Sequence, residues 1–335
     1  MKQRIWQAVT GCALILSGLS VGPVEAQESW GDWAAEWFGS RTGEVAAQGT
    51  GDDNSDITPS HVFQATQDLL AEVEILREAM GISDYPNEAE PQEGRAPVHV
   101  YAKTLEVMRK VSRVQSKFGI TPAEVGQIPV KAIVPKDVFG NVQAIIEELR
   151  RVKSQLVIED EIQPAALVGG KTPSFVYKNL GDASFLLDGL VGRPLTPNDV
   201  YGNVLRIHDE IELIAARLGA DLELDPPAVN GRKRPKEVAQ QMLRATYKVI
   251  NLQTRLGMDS SSVPTLTLVR VTPSEVFEVT NLLLAEMARI KLHLNIELPH
   301  APRGEERNKT PTDVFAQVLR MIKNLDALAK EAAQT

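Results

Sequence analysis

The residues able to do chemistry are few in this chain, and their spacing rarely brings them together. Its five histidines are His61, His99, His208, His293 and His300, and none forms the His-x-x-x-His or His-Glu-x-x-His spacing that puts two metal ligands on one helix face. No metal site and no cofactor is therefore expected. His208 beside Asp209 and Glu210 is the densest local cluster, and it reads as a hydrogen-bonded or solvated histidine on the flank of a helical bundle. Covalent catalysis fares no better. The only cysteine is Cys12, and neither Gly-x-Ser-x-Gly nor Ser-x-x-Lys occurs beyond residue 26. Gly169-Gly170-Lys171-Thr172 resembles the end of a phosphate loop, but the glycine that such a loop needs five residues earlier is Ala165. Catalytic residues are set at none, and the chain reads as a non-enzyme.

Two groups of aromatics remain as candidates for binding. Phe63, Tyr101, Phe139, Tyr177, Tyr201, Phe277 and Phe315 occupy one recurring position and could line a small-molecule pocket at the ends of helical bundles. A hydrophobic plug is the plainer role for them. Near the N-terminus, Trp30, Trp33 and Trp37 with Phe38 follow a three-then-four spacing that forms one helical stripe, a shape suited to a partner's groove. Asp32 and Glu36 lie among them without neighbouring cations, so contact with anionic lipid is not expected.

The elements that must position these residues come from a repeat. The phrase Pro-x-x-Val, followed by an aromatic in every unit but the sixth, where Ala239 stands, recurs at Pro59, Pro97, Pro135, Pro173, Pro197, Pro235, Pro273 and Pro311, with steps of 38 residues except for one of 24 between Pro173 and Pro197. Proline suits the first turn of a helix, where its missing N–H has no partner to lose. Thr58, Thr172, Thr196, Thr272 and Thr310 precede it as caps, and Asp199, Glu275 and Asp313 complete capping boxes in three units. Twenty-two residues after the proline, Gly81, Gly119, Gly219, Gly257 and Asn295 supply left-handed stops. Each unit is one helix about 33 Å long.

Counted from each proline, positions +3, +7, +10, +14, +17 and +21 form a heptad stripe, apolar in every unit apart from Thr66, Thr104, Thr280 and Pro194. Such a stripe fills the interior of a multi-helix bundle. Adding 138 maps the first four prolines onto the last four, and Lys171-Thr172 onto Lys309-Thr310. The fold class is therefore all-α: two tandem four-helix bundles, residues 57–193 and the duplicate 194–335, with a continuous α-solenoid as the alternative. Links of about 16 residues are long enough to return along a helix, so parallel order is open. Their alternating polar and apolar character, and Glu72, Glu148, Glu210 and Glu286 at +13 of odd units with Lys110 and Lys248 in even ones, favour up-down order with Glu–Lys pairing between helices.

Residues 1–26 read as a signal peptide: Lys2 and Arg4, then an apolar stretch from Ala13 to Val21, then Val24-Glu25-Ala26 before the cut. The stretch is short of the roughly 20 residues that span a bilayer. Cleavage removes Cys12, leaving no thiol. Residues 27–56 then form the tryptophan-containing segment and a Gly/Asp-rich linker. A net charge of -8 without a long basic run excludes nucleic acid as an expected partner. The expectation is a periplasmic or secreted helical-repeat protein, a scaffold or accessory subunit that binds another envelope protein through its N-terminal segment. The alternative is a periplasmic small-molecule binding or sensing protein that uses the aromatic bundle ends.

Overall fold

In the computed structural model, the described residues are 57–84, 91–192, 195–259, 271–299 and 303–333. Residues 1–26, the tryptophan segment with Trp30, Trp33, Trp37 and Phe38, and His300 lie outside them. Eight helices follow in order: α1 Pro59–Ala79, α2 Pro97–Lys117, α3 Pro135–Gln155, α4 Pro173–Val191, α5 Pro197–Leu218, α6 Pro235–Arg255, α7 Pro273–His293 and α8 Pro311–Ala332. The all-α repeat architecture is as the phrase and its period imply. No strand occurs among the described residues.

Every helix starts at its proline, and the third helical residue closes the start in seven of the eight. Asp137, Asp199, Glu237, Glu275 and Asp313 accept the backbone N–H of the residue before the proline, at 2.7–3.0 Å. His61 and His99 do the same through Nδ1, at 3.2 and 2.9 Å, so these imidazoles stand in for carboxylates. At the far ends Gly81, Gly119, Gly219, Gly257 and Asn295 adopt the expected positive φ. The third unit puts Val157 there at φ 56°, a conformation that crowds a β-branched side chain.

Helices α1–α4 enclose one core and α5–α8 another, and within each four the neighbours run first, third, second, fourth around a ring. The order is parallel, not up-down. One small cavity is lined by Pro59, Pro97, Pro135 and Pro173 with their valines, and a second by Pro197, Pro235, Pro273 and Pro311, so all four starts of each bundle meet at one end. The threonines that interrupt the heptad stripe confirm the register. Thr66, Thr104 and Thr280 donate to the carbonyls of Phe63, Tyr101 and Phe277, and accept from Asn179, Asn141 and Asn203 on the adjacent helix at 2.9–3.0 Å. A buried polar layer thus sits one level above each set of starts. The long links make this possible, because each must climb back down a bundle: the one before α4 runs along α1, with Ala165 bonded to Gln64 and Asp68, and Lys171 to Ser60.

Between α4 and α5 the chain has only residues 192–196, too few to return. Accordingly α5 departs from the end where α4 stops, and the bundles lie side by side in opposite senses. Contacts across them run the same way. On α2 and α7, His99 meets Glu286 while Glu106 meets Asn281, a descending pairing that antiparallel helices give. Val98, Ala102, Ala285 and Ala288 form the small apolar patch between, packed against Ile128 and Ile133 of a link. Residues from Ser55 onward form one compact unit.

Candidate functional site

Most buried charges serve the framework. The +13 glutamates pair with residues at +18, not with the +13 lysines as the spacing suggests. Glu72 takes Lys153 at 2.6 Å and Arg150 at 2.8 Å, and its duplicate Glu210 takes Lys291 at 2.7 Å. Glu148 accepts from Gln115, and Glu286 from Gln253, both at 2.5 Å. Lys110 reaches Asp188 instead, and Lys248 reaches Asp326. The +18 cations also tie down the exit of their own helices: Lys153 and Lys291 donate to carbonyls seven residues on, those of Asp160 and Leu298. Interior charge here fixes the link to the helix it follows.

The aromatic row belongs to the same framework. Parallel order gathers the rings around one end of each bundle, outside the proline-lined cavities of about 10 and 20 Å³. Lysines and an arginine of the links cover them in duplicate. Lys171 lies 4.5 Å from the Phe63 ring and Lys309 lies 4.4 Å from Tyr201; Arg95 covers Tyr177 at 4.7 Å and Lys233 covers Phe315 at 5.1 Å. Tyr101 and Phe139 pack partly buried against the first core. Tyr177 also donates to Glu278 of the other bundle at 2.9 Å, and burial, then Glu278, pushes its phenol well above the usual range. His208, the local cluster of the sequence, is buried on α5 with Nε2 3.1 Å from the Gln317 carbonyl. Burial, then Arg320, lowers it to about 4, so it is neutral at pH 7. No group of three metal-ligating side chains occurs among the described residues.

The site that sequence reasoning missed lies where the bundles meet. A cavity of about 160 Å³ is bounded by Glu106 and Arg109 of α2, Asn203 and Arg206 of α5, Asn281 of α7 and Arg303 of the last link. Beside it, a groove of about 1080 Å³ shares Arg109, Arg206 and Arg303 and adds Arg113, Lys117 and Arg307. Glu305 lines the groove, and the other carboxylates around it are engaged, Glu210 by Lys291 and Glu306 by Lys309. Glu106 accepts from Lys103 at 3.0 Å, Ser184 at 2.5 Å and Asn281 at 2.8 Å; against burial, Lys103 and Lys110 hold it below the usual carboxylate range. Asp199 is bound by Arg113, and Asp209 by Arg303 through two bonds.

Arg206 and Arg109 differ. Both point at one neutral oxygen, Asn203 Oδ1, at 2.7 and 3.4 Å, and Arg109 rests 5.5 Å from the Phe277 ring. Among the described residues neither forms an ion pair with a carboxylate. Burial, then Arg206, pulls Arg109 from its ordinary value down to about 10; burial, then Arg303, lowers Arg206. No local motif announces the pair, since the residues come from two bundles and occupy outward helix positions. Compared with protein-family models, curated proteins and solved structures, the chain matches none of them.

Proposed function

We propose that the protein is an exported, non-enzymatic accessory or scaffold subunit, which presents a stiff double bundle and engages another envelope protein through Trp30, Trp33, Trp37 and Phe38. The observation behind this reading is the clasp between the bundles. His99 and Glu106 of α2 bond Glu286 and Asn281 of α7, and Tyr177 of α4 bonds Glu278 of α7. Side chains that could do chemistry are spent there on joining helices, which suits a body that holds rather than transforms. No helix of the described residues is long and apolar enough to cross a membrane.

The tryptophans supply the test. Beyond residue 26 the chain has only Trp30, Trp33 and Trp37, so its indole emission reports on this segment alone. Isolated protein lacking residues 1–26 should emit as water-exposed indole and shift to the blue with a partner purified from envelope extract. Trp33→Ala with Trp37→Ala should abolish that binding without changing the helical signal. Blue emission from the monomer, unmoved by any envelope fraction, would mean that the segment packs on its own bundles and would defeat the reading.

A further inference from the structure

We infer that the cleft between the bundles is a binding site for a phosphate group, held by Arg109 and Arg206 and carried either as free phosphate or on a small polar molecule. The argument starts from the exception these arginines make. Inside both bundles a buried cation has a carboxylate or a link carbonyl facing it, as Lys153, Lys291 and Lys110 do. Arg109 and Arg206 converge from different bundles on a single neutral amide oxygen; the carboxylates lining the cavity, Glu106 and Glu210, already serve Lys103 and Lys291, and nearby Asp199 and Asp209 serve Arg113 and Arg303.

Two guanidiniums brought this close repel each other, and partial burial weakens the water that would screen them. A compact dianion in the cavity would remove that repulsion. Guanidinium groups present paired N–H donors that match phosphate oxygens, and two of them match its charge. A monocarboxylate would leave one cation uncompensated. The enclosed volume, about 160 Å³, suits the phosphate itself, while the wider groove with Lys117 and Arg307 has room for whatever it is attached to.

The duplication supplies independent support. The residues 138 positions away from Arg109, Arg206 and Arg303 are Tyr247, Asp68 and Ala165. The cations are therefore no part of the repeated framework, which preserves its Glu72–Lys153 and Glu210–Lys291 pairs in both copies. Each belongs to one copy only, on the side that meets the other.

Isothermal titration and thermal melting of the full chain lacking residues 1–26 test this, with inorganic phosphate and glycerol phosphate as probes and potassium chloride at matched ionic strength as reference. At least one phosphate probe should bind saturably at one site per chain and raise the melting temperature above the reference. Equal binding of both identifies the free anion as sufficient, and binding of glycerol phosphate alone places the ester in the groove. Arg109→Met and Arg206→Met should each weaken binding at least tenfold while leaving the unliganded melting temperature equal or higher, since each relieves repulsion. Arg150→Met, at the distant Glu72 pair, should leave binding unchanged. Should a cleft variant unfold, Arg109→Lys, which keeps the charge but loses the paired donors, serves in its place and should also weaken binding. No effect of either probe beyond chloride, or binding untouched by these substitutions, overturns the site.

Discussion

The two bundles are copies inside and strangers where they touch. Equivalent residues repeat the same contacts 138 positions apart: Arg151 and Arg289 reach the carbonyls of Thr121 and Asp259, and Gln115 and Gln253 donate to Glu148 and Glu286. At the interface the equivalence ends. Glu286 also receives His99 of the first bundle, whereas Glu148 faces outward with 23% of its side chain exposed. The +13 to +18 pairs and the link clamps persist in each copy, whereas the threonine–asparagine contacts do not, since Thr66, Thr104 and Thr280 correspond to Val204, Met242 and Val142. The interface needs only one partner from each copy, so its residues were free to diverge.

The comparison can be broken first at the interior ion pairs. Glu72→Ala and Glu210→Ala each strand a buried lysine, Lys153 or Lys291, and each should cost about 3–5 kcal/mol in denaturant unfolding. Glu148→Ala, at a half-solvated pair, should cost about 1 kcal/mol or less. Its duplicate Glu286→Ala should cost clearly more, because it also opens the clasp to His99. Equal effects at Glu148 and Glu286 would erase the distinction drawn above.

Next in size is a pH effect confined to the second bundle. His208 replaces Leu70 of the first, and its folded pKa lies near 4. Below pH 6.5 the unfolded chain takes up a proton that the folded chain refuses. Stability should therefore fall by on the order of 3 kcal/mol as pH drops from about 6.5 to about 4, then stop falling on this account. His208→Leu should flatten that part of the pH profile; an unchanged slope would show that the histidine titrates freely.

The smallest effect is backbone strain. Val157 holds φ 56° with its side chain 80% exposed, while the duplicate position is Asn295 at φ 55°. Val157→Gly should raise stability by about 1 kcal/mol, and Asn295→Gly by less, since asparagine tolerates that region. A loss at Val157 would mean that its packing outweighs its strain.

Helix starts, stops and core stripe were legible because each rests on local rules: proline with a capping residue, glycine at a positive φ, and apolar residues every three or four positions. Helix direction was not. A 16-residue link permits both return and reversal, and the alternating +13 charges do not pair with one another, because the partners of the glutamates, Lys153, Lys291, Gln115 and Gln253, lie five positions further along the adjacent helix. The arginine cleft was hidden for a related reason. Arg109 and Arg206 are ordinary outward-facing residues until the second bundle packs against the first.

Parallel order within the bundles is therefore the claim on which the rest depends. The chain's single cysteine, Cys12, lies within residues 1–26, so a version lacking them offers a clean background for pairs of spin labels. Labels at Lys236→Cys and Ser274→Cys mark the starts of the neighbouring helices α6 and α7, and Leu292→Cys marks the far end of α7. Pulsed electron-spin measurements should give a short 236–274 distance, within about 20 Å, and a 236–292 distance of about 30 Å or more, one helix length. The reverse order of the two distances would establish up-down bundles and contradict the account.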